Sequence, residues 1–64
     1  MKLNGEIMEL AAPISLQTLL QEKGYDGLRI AVECNGEIIP KTTYSETMIR
    51  NEDILEVVSF VGGG

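Results

Sequence analysis

Two Asn-Gly pairs, at residues 4–5 and 35–36, constrain this chain more than any other feature, because each demands a tight reversal at a known place. A two-residue type I′ turn needs positive φ at both central positions, which Asn and Gly tolerate best. The first pair predicts a hairpin joining a strand over residues 1–3 to a second over 6–10. Ala11-Ala12-Pro13 then ends the pairing, since proline cannot donate to a ladder. Ahead of the second pair, Leu28, Ile30, Val32 and Cys34 alternate with Arg29, Ala31, Glu33 and Asn35, the period-two pattern of a strand with one face on a core. Glu37-Ile38-Ile39 returns as a short strand until Pro40 stops it.

Between the hairpins lies one helix. Ser15 can cap it, Leu16, Leu19 and Leu20 follow at the spacing that shares a face, and Gly24 ends it, so the helix is expected over residues 16–23 with Gln17, Gln21 and Glu22 toward water. Residues 41–50 read as a loop or brief helical turn anchored by Tyr44, Met48 and Ile49, with Tyr44 a packing anchor. After the polar turn Asn51-Glu52-Asp53, residues 54–61 are rich in β-branched side chains and read as a central strand. Periodicity thus establishes an α+β fold: one helix over one sheet of four to five strands. A chain of 64 residues supports one domain and too small a core to add a deep substrate cleft.

The net charge of −5 disfavours nucleic acid and anionic membrane surfaces, which need clustered Lys and Arg, and favours a protein partner with a basic docking face. No stretch reaches the ~20 apolar residues of a membrane span, and no signal-peptide core follows Met1, so a cytosolic location is expected. A lone cysteine, Cys34, fits a reducing compartment and cannot close an internal disulfide. It reads as a small apolar filler, because the chain has no His and the adjacent Glu33 carboxylate would raise a thiol pKa. The acidic residues are scattered over strand and turn positions, which gives no catalytic carboxylate pair, and without His they make no transition-metal site; neither a catalytic residue nor a bound metal or cofactor is expected.

The remaining feature is the run Gly62-Gly63-Gly64 directly after the last strand. Glycine loses the most backbone freedom on ordering and has no side chain to pack, so residues 62–64 are expected to form a flexible arm on a folded body of residues 1–61. Such an arm reaches about 10 Å, enough to thread a partner's channel and deliver the Gly64 carboxylate to a remote site. A carboxylate becomes reactive once ATP adenylates it, and a sulfur nucleophile can then displace the adenylate to leave a thiocarboxylate. The chain has no Gly-rich loop followed by Lys and Ser/Thr to hold nucleotide phosphates, so a partner must use the ATP.

Over its whole length the sequence resembles the sulfur carriers of thiamine biosynthesis, the ThiS family. The resemblance rests on Leu3-Asn4-Gly5-Glu6, the helix from Ser15 to Gly24, the strand-turn-strand from Ala31 to Pro40, and above all the ending that closes on the terminal glycines. It implies a ubiquitin-like β-grasp, in which the last strand lies parallel to the first in the middle of the sheet and the helix crosses one face. It also implies that Gly64 is adenylated by an E1-like enzyme, receives sulfur from a sulfur-donor protein and passes it to thiazole synthase. Gly62 and Gly63 would lie in the partner's channel, Phe60 and Val61 would help dock the tail's base, and exposed apolar residues on the helix-free sheet face would form the docking surface.

Three positions depart from the family pattern: Lys41 follows Pro40 where Arg is common, Tyr44 stands where Trp is frequent, and Glu52 replaces a turn glycine. All three touch packing and turn geometry and leave the tail untouched. Three other readings use the same chain differently: the small subunit of molybdopterin synthase, with the same terminal chemistry; a protein modifier that forms isopeptides through Gly64; and an interaction module with an inert tail.

Overall fold

Both Asn-Gly pairs turn the chain as their backbone chemistry requires. In the computed structural model, which describes residues 1–60, Asn4 and Asn35 take φ of 50° and 53°, and Gly5 and Gly36 take 84° and 86°. The first turn joins β1 (Lys2–Leu3) to β2 (Glu6–Ile7), and the second joins β4 (Ile30–Cys34) to β5 (Glu37–Ile38). Between the hairpins come β3 (Ile14–Ser15) and the helix α1 (Leu16–Glu22); after them come β6 (Met48–Ile49) and β7 (Ile54–Ser59). The five-stranded sheet has the order β2-β1-β7-β4-β5, with β7 in the centre, parallel to β1 and antiparallel to β4.

The helix starts and stops for local reasons. Ser15 Oγ accepts a hydrogen bond from the Thr18 amide at 3.1 Å, satisfying one of the donors that a helix start leaves open. At the other end Gly24 adopts a φ of 79°, its amide donates to Gln21 O, and the Tyr25 amide donates to Leu20 O, the paired bonds of a Schellman motif. Leu16, Leu19 and Leu20 are all buried on the face that the spacing predicts, against Leu3, Ile30, Val32, Leu55 and Val57 from the sheet. Burying a leucine stabilises by about 1.5–3 kcal/mol, so these three side chains hold the helix to the sheet far more than seven residues of helix propensity could.

Several expectations are corrected. Leu28 does not begin the alternating strand on its core face: it is 83% exposed. Asp26 Oδ1 accepts the Leu28 amide at 3.0 Å and opens a 3-10 turn, Gly27–Arg29, that delays the strand to Ile30. The second strand ends at Ile7; Met8 still exchanges hydrogen bonds with Met1, and farther on the side chain of Asn51 takes over the backbone of Leu10, accepting from its amide at 2.7 Å and donating to its carbonyl at 2.9 Å. Met48 is exposed and anchors nothing, whereas Tyr44 and Ile49 are buried. Residues 48–49 also form a strand where a loop was expected, pairing Ile49 with Ile14 and Met48 with Ser15 in a small second sheet. Finally β7 stops at Ser59, leaving Phe60 outside the strand. Among the described residues no helix is long and apolar enough to cross a membrane.

Candidate functional site

Val61, Gly62, Gly63 and Gly64 lie outside the described residues. What the structure defines is the strand that leads to them and the surface around its end. β7 is held by side chains as well as by its neighbouring strands. After Leu3 the backbone of β1 turns away, and the Asn4 side chain continues in its place: Oδ1 accepts from the Val57 amide at 2.7 Å and Nδ2 donates to the Val57 carbonyl at 3.3 Å. Asn35 acts similarly at the start of β7, where its Oδ1 accepts from the Ile54 amide at 2.9 Å. A carboxamide carries the same donor and acceptor as a peptide group, so each turn asparagine serves both its turn and the central strand.

The far end of β7 is tied down at Phe60. Its amide donates to Arg29 O at 2.7 Å, one step beyond the pairing of Ser59 with Ile30. Lys41 places its Nζ 5.8 Å from the centre of the Phe60 ring and also donates to Leu28 O at 3.1 Å. A cation over an exposed ring is worth about 0.5–1 kcal/mol, so Lys41 links its own segment to Leu28 and Phe60. Phe60 remains 50% exposed. Beside this junction a shallow cleft of about 310 Å³, lined in part by Leu20, Tyr25, Leu28, Lys41 and Tyr44, opens between the helix and the Gly27–Arg29 turn.

Strand alternation splits β7 cleanly. Leu55 and Val57 face the core, while Ile54, Glu56 and Val58 face away from the helix. Opposite them on that outer face stand Lys2 beside Ile54, Glu33 beside Glu56 and Ala31 beside Val58, with Ile7 and Ile38 on the edge strands. Ile7, Ile38, Ile54 and Val58 are each more than half exposed. This is an apolar surface with carboxylates set into it, on the strand that carries the tail.

Three groups titrate away from their ordinary values. The Cys34 thiol packs against the core and is pushed up, first by burial and then by the carboxylates of Asp53 and Glu37. The carboxylate expected to act on it, Glu33, points to the other face of the sheet. Asp53 is held down by the Asn35 side chain, whose Nδ2 donates to it at 2.9 Å, and then by the Arg50 amide. Burial raises Tyr44, whose hydroxyl has no hydrogen-bond partner of good geometry, although a backbone interaction with Val32 opposes the shift in part. Among the described residues no cluster of His, Cys, Asp and Glu is arranged to hold a metal ion.

A helix laid across a five-stranded mixed sheet, with the first and last strands parallel at its centre, makes this a ubiquitin-like β-grasp domain. The crystal structure of the thiamine biosynthesis protein ThiS from Geobacter metallireducens superposes on it with a TM-score of 0.81 at 26% identity, covering 98% of this chain and 96% of that one. The ThiS family model matches residues 1–64, and the chain belongs to the ThiS family. It is 40% identical over 50 residues to the sulfur carrier protein ThiS of Bacillus subtilis, covering 78% of this chain and 76% of that protein. It is also 42% identical over 62 residues to a thiazole synthase of Paramagnetospirillum magneticum, covering 97% of this chain but only 19% of that protein.

Proposed function

We propose that this chain is a sulfur carrier of thiamine biosynthesis that catalyses no step itself. The observation that carries the reading is the pairing of a ThiS-like body, alike along nearly its whole length, with a glycine run that follows the central strand in sequence after Phe60 and Val61. In this reading residues 1–61 dock, and residues 62–64 are the arm that reaches the partner's active site. Gly62 and Gly63 lie in the partner's channel, and Gly64 presents its carboxylate.

The chemistry follows from that carboxylate. An E1-like enzyme supplies the ATP site: a Gly64 oxygen attacks the α-phosphorus, pyrophosphate leaves, and the carbon becomes electrophilic. Hydrosulfide delivered by a donor protein adds to that carbon, loses its proton and displaces AMP, and the resulting thiocarboxylate passes its sulfur to thiazole synthase. The likeness to one-fifth of a thiazole synthase supports that acceptor, since it finds a domain of this kind within a protein of that name. The body's part is positional. Anchored at Phe60, the strand presents the arm from a fixed point, and Phe60 and Val61 contribute to docking at its base. The Cys34 thiol, half-buried against the core, plays no part in the transfer.

Intact mass spectrometry after incubation with an E1-like enzyme, ATP and a sulfur source tests the reading. A gain equal to exchange of one oxygen for sulfur, mapped to Gly64, is expected. No gain, with an enzyme that charges its own carrier under the same conditions, refutes it. Target proteins enlarged by the mass of this chain would point to a modifier.

A further inference from the structure

The two hairpin turns carry the same residues, Asn4-Gly5-Glu6 and Asn35-Gly36-Glu37, so a difference in their chemistry has to come from the fold. An asparagine followed by glycine is prone to lose its side-chain amide, because glycine has no Cβ to keep its backbone nitrogen away from the carboxamide carbon. In both turns the carboxamide is bonded through its oxygen and its nitrogen, and it must release before that carbon can meet the glycine nitrogen. Each turn leads into an edge strand of two residues, so the strands beyond the turns do not distinguish them.

What release leaves behind does distinguish them. Freeing Asn4 strips the Val57 amide and carbonyl of their carboxamide partner, and Val57 is 8% exposed in the central strand. A buried donor and acceptor left unpaired make that opening costly. Freeing Asn35 uncovers the Ile54 amide and one oxygen of Asp53, each bonded at 2.9 Å. Ile54 is 51% exposed and both bonds lie at the surface, so water replaces the carboxamide. We propose that Asn35 is a site of spontaneous deamidation in the folded chain, and that Asn4 is protected by its grip on Val57.

The step needs water alone. The Gly36 nitrogen attacks Cγ of Asn35 and gives its proton to solvent, while Nδ2 takes up a proton and leaves as ammonia, closing a cyclic imide. Water opens the imide at either carbonyl, which gives an aspartate or an isoaspartate. A water molecule enters, an ammonia departs, and nothing is oxidised or reduced. Either product sets a carboxylate where Nδ2 donates to Asp53, so a hydrogen bond that holds Asp53 low gives way to repulsion between like charges. The isoaspartate also adds a carbon to the backbone of a turn that takes φ of 53° and 86° in succession, a geometry specific to a two-residue reversal. Both products loosen the start of β7, where Asn35 and Ile54 exchange hydrogen bonds.

The test incubates the wild-type chain in mildly alkaline buffer, folded and in urea. Peptides spanning each asparagine are mapped by mass spectrometry for exchange of the amide NH2 for hydroxyl, with aspartyl and isoaspartyl forms separated. In the folded chain conversion is expected at Asn35, with Asn4 slower by about tenfold or more. In urea the two should convert at similar rates. Folded Asn4 converting as fast as Asn35, or both staying intact in the folded chain while the urea sample converts, overturns the proposal. A difference that persists unchanged in urea belongs to the local sequence and overturns the part assigned to the fold. Asn35→Asp reads the consequence: its urea midpoint should fall, and the Asp53 carboxyl, followed by NMR, should titrate higher than in wild type. An unchanged midpoint with an unchanged Asp53 titration overturns the loosening of β7.

Discussion

Replacing Asn4 separates the two tasks that its side chain performs at once. In Asn4→Ala the Val57 amide and carbonyl both lose their carboxamide partner in a part-buried setting. At roughly 1 kcal/mol for each hydrogen bond, that loss is about 2 kcal/mol at most, because the 3.3 Å bond is the weaker. Alanine must also hold the left-handed backbone, φ 50°, which adds about 1–2 kcal/mol. The sum is a destabilisation of about 2–4 kcal/mol, a large part of the roughly 3–10 kcal/mol that a domain of this size commands. Asn4→Gly keeps the turn and loses only the clamp, so it should cost about 1–2 kcal/mol. Urea unfolding of the three chains measures both figures, and amide exchange at Val57 should accelerate in both variants. If Asn4→Ala costs less than about 0.5 kcal/mol, or no more than Asn4→Gly, the double role assigned to this residue is wrong.

Leu19 is 2% exposed at the centre of the helix face, and Leu19→Ala should cost about 2–5 kcal/mol in denaturant unfolding; a loss below about 1 kcal/mol would contradict the packing. Asp53 titrates below its ordinary value, so its contribution to stability is complete above the unfolded carboxyl pKa near 3.9 and is lost as pH falls through the lower folded value. Asp53→Asn should therefore flatten the acid limb of the stability curve, measured as the urea midpoint between about pH 5 and 2. The Cys34 thiol, raised by burial and two carboxylates, should alkylate slowly in the native chain at neutral pH and quickly in urea; equal rates would remove its place against the core. Deleting Gly64 should abolish sulfur loading with the far-ultraviolet circular dichroism unchanged, and retained loading would refute the tail chemistry.

Features governed by neighbouring residues could be read from the chain alone. Leucine spacing located the buried face of the helix, Ser15 and Gly24 marked its ends, and the Asn-Gly pairs placed both hairpins, because capping and positive φ are decided within a few residues. The strand over Ile30–Cys34 and the central strand were visible as alternation and as a β-branched run. The second sheet was not, since strands of two residues have no period and exist only because Ile14 and Ile49 meet. Leu28 looked like a core residue until the Asp26 cap turned it outward.

At the candidate site the division is sharper. The glycine run stood out in the sequence because nothing else in the chain matches its composition. The surface beside it was not, because it is assembled from segments far apart in sequence: the register that sets Glu33 against Glu56, the reach of Lys41 to Phe60, and the two asparagines that grip the central strand. Local propensity determines where a chain turns, coils or extends. Which side chains then stand together depends on strand order and register, and those are decided only when the leucines of the helix close over Leu55 and Val57.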